Sequence, residues 1–222
     1  MKGKKQICVI GLGEFGRELS RQLAKECEVL AIDRDESAVA AILDDVQRAV
    51  MLDVRDFSSF SSIVTADFDE AVVSMGETLE AAILATLHLK KIGVKRIWAK
   101  ANHDDHAAIL KAVGASEIVF PERETARRLA AQIVNPNLLD FIPLEGDYRV
   151  MDAAPPDAFY GKSLLELDLR RKYGVFVLAV KELVPERFTF LPKPNFVIKP
   201  SDILVMIGRE VDLLNMLGTQ KT

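Results

Sequence analysis

Gly11, Gly13 and Gly16 form a Gly-x-Gly-x-x-Gly turn directly after the apolar run Cys8-Val9-Ile10, and Asp33 closes the next apolar run 22 residues after Gly11. In that setting each glycine has its own task. Gly11 makes the tight turn, Gly13 lets a pyrophosphate approach the backbone, and Gly16 lets the following helix pack close to the strand. The helix start, through Glu14 and Phe15, turns unpaired N–H groups and the positive end of its dipole toward phosphate oxygens. Asp33, at the carboxyl end of the second strand, is placed to accept hydrogen bonds from both hydroxyls of an adenosine ribose. A 2′-phosphate there would meet a carboxylate, so ATP, ADP, AMP or NAD(H) are the expected ligands rather than NADP(H). Arg34, next in the chain, weakens that exclusion slightly.

Two further positions bear on the same chemistry. Asp53, with Val54 after it, ends the third strand, where it reaches the rim of an adenine pocket or serves as an ordinary helix N-cap. Gly76, after Ser74 and Met75, follows the fourth strand where the strand order should reverse and a ligand crevice open; a plain turn glycine is the alternative. Catalytic groups do not stand out. A nicotinamide-dependent reaction needs a histidine or a tyrosine–lysine pair, and none of Tyr148, Tyr160 or Tyr173 has a lysine four residues on. His88 is expected on a surface or half-buried helix face, and His103 and His106 with Asp104 and Asp105 read as a solvated helix start rather than a metal site.

These residues need a scaffold, and the sequence describes one. Apolar runs at 7–10, 29–32, 49–52, 71–74, 96–99 and 117–120 start about 20 to 26 residues apart, the length of a strand plus a covering helix. Leu79, Ala82, Ile83, Thr86, Leu87 and Lys90 mark one face of such a helix, and Gly93 stops it. Strands apolar on both faces and joined by helices predict an α/β fold with a doubly wound parallel sheet. After Pro121 the pattern changes. A helix over 122–134, the Asn135-Pro136-Asn137 turn and a short helix over 138–141 form a hinge-like connector. Strands at 148–153, 175–181, 187–191 and 203–207, with a helix at 164–170, form a smaller second α/β domain. The expected organisation is 1–121, 122–143 and 144–222.

Composition bounds the reading. Of 222 residues, 29 are basic and 33 acidic, a formal charge of −4 that argues against a phosphate-neutralising nucleic-acid surface. The longest apolar run is far short of the roughly 20 residues that cross a bilayer, and the first six residues are basic and polar, so a cytoplasmic protein is expected. Cys8 and Cys27 are too few for a disulfide frame.

The combination Gly11 to Gly16, Asp33, Ser74-Met75-Gly76, Ile97-Trp98-Ala99-Lys100-Ala101, Gly114-Ala115 and Val119-Phe120-Pro121-Glu122 resembles a known family. With the tail from Lys172-Tyr173-Gly174 to Pro200 through Gly208, it is similar to the RCK (KTN) cytoplasmic regulatory subunits of Ktr/Trk-type bacterial potassium transporters. The resemblance spans nearly the whole chain and implies a Rossmann-like nucleotide-binding lobe and an RCK C-terminal lobe. It implies gating rather than turnover: an adenine nucleotide (ATP, ADP or NAD(H)), homodimers assembled into a ring, commonly an octamer, and a membrane potassium-conducting partner at the inner face of the membrane. By position, Gly11, Gly13 and Gly16 face the phosphates, Asp33 the ribose and Asp53 the adenine edge. Lys100 lies near the phosphates or the dimer seam, and Glu122 is the acid at which a cation bridges paired subunits. Cyclic di-AMP in the second lobe, near Arg170, Val175 and Pro192, is implied for some relatives, but Phe176 stands where a hydrogen-bonding asparagine can occur. A second departure is Glu14, where close relatives often carry an arginine that reaches the terminal phosphate of the nucleotide in the adjacent subunit; the reversed charge predicts poor discrimination of ATP from ADP, or a preference for ADP, AMP or NAD(H), with Arg17, one turn on, either compensating or pairing with Glu14. The competing readings are a small NAD-dependent oxidoreductase and a redox-sensing repressor, the latter opposed by the lack of a basic winged-helix segment.

Overall fold

The computed structural model describes residues 3–76 and 78–218. The chain divides into two compact units at the Arg123/Glu124 junction. In the first, six strands alternate with helices: β1 (Gln6–Ile10), α1 (Glu14–Ala24), β2 (Glu28–Asp33), α2 (Glu36–Ala40), β3 (Arg48–Met51), α3 (Phe57–Ile63), β4 (Glu70–Val73), α4 (Leu79–Ile92), β5 (Arg96–Lys100), α5 (Asp104–Val113) and β6 (Glu117–Val119). All pairings are parallel and the order is β3-β2-β1-β4-β5-β6, so the winding reverses between β1 and β4. The expected six-stranded doubly wound sheet is therefore present. Its cause is visible in β1, where Cys8 and Ile10 enter one buried cluster and Ile7 and Val9 another on the opposite face. A strand buried on both faces needs a helical layer on each. Gly93, at φ 98°, ends α4 as the sequence requires.

The next helix, α6 (Pro121–Val134), buries none of its residues. The second unit holds β7 (Leu138–Pro143), β8 (Tyr148–Ala153), α7 (Leu164–Leu167), α8 (Leu169–Tyr173), β9 (Phe176–Leu183), β10 (Glu186–Phe190), β11 (Asp202–Arg209) and α9 (Glu210–Met216), with a 3-10 turn at Asp157–Phe159. Its sheet is antiparallel, in the order β10-β9-β11-β8-β7.

Two expectations fail in this unit. Residues 138–141 are the start of strand β7 rather than a helix: Phe141 pairs with Met151 and Ile142 with Val150. A four-residue run, Leu138-Leu139-Asp140-Phe141, is too short to show a period of its own, and the strand beside it decides. The helix expected over 164–170 is two short helices. Asp168 breaks it in the left-handed conformation at φ 46°, a shape that Asp tolerates better than most residues.

Candidate functional site

A crevice of about 730 Å³ opens at the carboxyl ends of the first unit's strands, where the winding reverses between the paired strands β1 and β4. That is where a reversing α/β sheet leaves room for a ligand, and the size suits a nucleotide.

The glycine turn forms its floor. Gly11 adopts φ 91°, and its N–H donates to the Ile32 carbonyl at 2.8 Å. A Cβ on Gly16 would collide with the Gly11 carbonyl, whereas one on Gly13 would meet nothing within 4 Å. Gly16 thus serves helix–strand packing and lies behind the crevice, while Gly13 faces it. Gly13 is also the N-cap of α1 and offers no side-chain bond, so the first amides of that 11-residue helix lack a side-chain acceptor. The Leu12 N–H donates to Asp33 Oδ2 at 2.6 Å and the Asp35 N–H to Oδ1 at 2.9 Å. Each carboxylate oxygen keeps a lone pair for a further donor. The Met75 side chain lies over the turn, its Cγ 2.6 Å from where a Gly11 Cβ would stand. The buried Ser74 hydroxyl has no hydrogen-bond partner among the described residues.

The other rim comes from the β3–α3 connection. Asp53, Val54 and Arg55 all line the crevice. Asp53 is not the N-cap of α3; Asp56 is, accepting from the Ser58 and Ser59 amides. Asp53 instead holds the Arg55 guanidinium, whose Nε lies 2.9 and 3.0 Å from its two oxygens, and the Arg55 amide donates to Oδ1 at 3.0 Å. These contacts hold its carboxyl down to about 2.

The far end is more ionic. Lys100, at the end of β5, has only 14% of its side chain exposed and pairs with Glu122, so it is no ordinary surface lysine. Lys100 in turn lowers the Glu122 pKa. Asn102 Nδ2 donates to the Gly76 carbonyl at 2.6 Å, and Arg123 packs 4.0 Å over Phe120 while donating to Asp104 at 2.6 Å.

Thus Gly11, Gly13, Glu14, Phe15, Asp33, Arg34, Asp53, Val54, Ser74, Met75, Gly76, Lys100 and Glu122 meet in one crevice, and Gly16 supports it from behind. Sequence reasoning missed Arg55, Asn102 and Arg123. The last two follow the ends of β5 and β6, a position that marks crevice residues in this sheet type. Two histidines also differ from expectation. His88 is buried against Phe57 and Phe60, and His106 is buried although its helix start is solvated. A helix packed on one face hides whichever residues lie on that stripe.

The same chain matches two family models, the TrkA-N domain over residues 7–121 and the TrkA-C domain over 151–217. It is 37% identical over 211 residues to Ktr system potassium uptake protein C of Bacillus subtilis, covering 95% of each chain. To Ktr system potassium uptake protein A of Vibrio alginolyticus it is 32% identical, covering 97% of each. The chain belongs to the TrkA-domain family of Ktr potassium uptake proteins. Both relatives are named as potassium uptake proteins, not as enzymes. A structure of the GsuK channel bound to NAD matches 96% of this chain and 39% of its own length, with a TM-score of 0.63 at 16% identity, a likeness of fold.

Two electrostatic features of this Ktr-family crevice bear on the earlier expectations for Glu14 and Glu122. Glu14 is ion-paired to Arg17, and Arg17 also donates to the Leu12 carbonyl at 2.9 Å, so the nearest cation on α1 is already engaged. Among the described residues no three ligating side chains gather to hold a metal ion. Glu122, one carboxylate already paired with Lys100, does not make a cation site within a single chain.

Proposed function

We propose that this chain is a nucleotide-responsive gating subunit of a potassium uptake system, with an adenine nucleotide in the crevice and a membrane potassium-conducting subunit as its partner. The observation that carries this reading is the arrangement at the exit of β1: the uncapped α1 amides beside Gly13, and an Asp33 carboxylate fixed by the Leu12 and Asp35 amides. In it Gly11 and Gly13 admit the phosphates, Asp33 takes the ribose, the Asp53–Arg55 wall meets the base, and Lys100 lies on the phosphate side. The exposed Leu129, Ile133 and Val134 of α6 support pairing with a second copy, and dimers of this kind build the ring, an octamer, at the inner face of the membrane. The Asn135-Pro136-Asn137 turn is the proposed hinge.

Glu14 sets the ligand preference. With the Glu14 side chain 95% exposed, its carboxylate about 4 Å from a phosphate charge costs roughly 1 kcal/mol, the value in water. At about 1.4 kcal/mol per tenfold, that offsets a several-fold preference for ATP over ADP. Titration calorimetry with ATP, ADP, AMP and NADH is expected to show binding without ATP preference. ATP at least tenfold tighter than ADP would refute the charge argument, and no heat with any of them at millimolar concentration would refute the function.

A second ligand is favoured by one observation. Arg170, Val175, Phe176 and Pro192 line a single hollow of about 460 Å³ in the second unit. Cyclic di-AMP there is tested by the same calorimetry, with Phe176 expected to weaken it.

A further inference from the structure

We propose that His88, a residue outside the crevice, positions its base-facing wall, so that recognition of the adenine depends on it and recognition of the phosphates does not. The inference rests on the nucleotide reading above.

The wall needs an anchor because of where it starts. β3 is a four-residue edge strand, paired on one side only, by β2. Past its end the chain runs through Leu52, Asp53, Val54 and Arg55 before α3 begins, and the Leu52 amide still donates to the Asp33 carbonyl at 2.8 Å. Beyond that bond no strand supports the connection, yet Val54 is only 4% exposed. Its carbonyl is a buried acceptor outside regular structure, and such a group requires a donor.

His88 meets that acceptor. Its Nδ1 lies 3.0 Å from the Val54 oxygen. A carbonyl oxygen only accepts, so Nδ1 carries the proton, and this fixes the tautomer. The imidazole is steadied by α3, with ring centroids 4.8 Å from Phe57 and 6.0 Å from Phe60. On α4, Ala81, Ala85 and His88 share one buried stripe, and Ala81 itself lines the crevice. The wall is therefore tied to a helix that borders the same cavity. The phosphate end, built on β1 and the start of α1, has no contact of this kind with His88.

Calorimetry on the full chain with ADP and with inorganic pyrophosphate separates the two ends. His88→Leu keeps the bulk and removes the donor. It is expected to weaken ADP at least tenfold and pyrophosphate less than twofold. His88→Asn, which restores an N–H near the Nδ1 position, should recover ADP to within about threefold of the parent. Should His88→Leu not fold, Phe57→Leu loosens the imidazole without removing a hydrogen bond and should repeat the split at about threefold on ADP alone. Unchanged ADP binding in the folded variant, or equal losses for ADP and pyrophosphate, would overturn the proposal. A parent protein that binds no ADP fails earlier, at the nucleotide reading itself, and that result appears before any substitution is made.

Discussion

Gly13 and Gly16 stand three residues apart in one turn, yet the space around them separates stability from binding. Gly13→Ala places a methyl in open space at an ordinary φ of −64°, so folding stability should move by less than about 0.5 kcal/mol while phosphate access is lost. Gly16→Ala drives a methyl into the Gly11 carbonyl and should cost about 1–3 kcal/mol or more, with binding lost as a consequence. Thermal melts paired with ADP titration distinguish them; equal stability losses would remove the distinction. The packing role of Gly16 was legible in the sequence, because a glycine's task in this turn depends on backbone and immediate neighbours. The state of Asp53 was not. Its partner Arg55 is two residues on, a spacing at which side chains in a helix do not face one another, and only the loop brings them together. His88 was less legible still, since the carbonyl it serves is 34 residues away.

At the scale of elements, burial of two helix stripes has a pH signature. His88 on α4 and His106 on α5 are both held below the ordinary histidine value, first by burial and then by the charges of Lys91 and His103 respectively. A lowered folded value means that the unfolded chain binds the protons first. The contribution to stability is then whole above about pH 6.5 and is lost as pH falls through the folded values. Asp53 acts in the same sense further down, its contribution disappearing between about 3.8 and about 2. Urea midpoints should therefore be level from about pH 8 to 7 and fall steadily below about 6.5; a midpoint that rises on acidification contradicts the assignment. Elements were legible where period and length agreed, as in α4 and the six parallel strands. They were not where the run was short: β7 became a strand because β8 lies beside it, and the helix after Ser163 broke at a residue, Asp168, whose left-handed turn no periodicity announces.

Across the whole molecule, no helix among the described residues is long and apolar enough to cross a membrane. Moving a two-state ring from 1:99 to 99:1 requires about 10⁴-fold preference in total, and eight equivalent sites would need only about threefold each. Small differential affinities suffice, which makes the location of binding more telling than its strength. Every residue lining the crevice lies in the first unit, before Glu124. ADP at about 100 times its Kd stabilises the state that binds it by about 2.7 kcal/mol. For a unit of this size that is roughly 10 °C of midpoint. In scanning calorimetry of the full chain, the transition of the first unit should rise by that amount while any separate transition of the second unit stays in place. A shift confined to the second unit would move the nucleotide out of the crevice, and with it the assignment of Gly13 and Asp33 as its ligands.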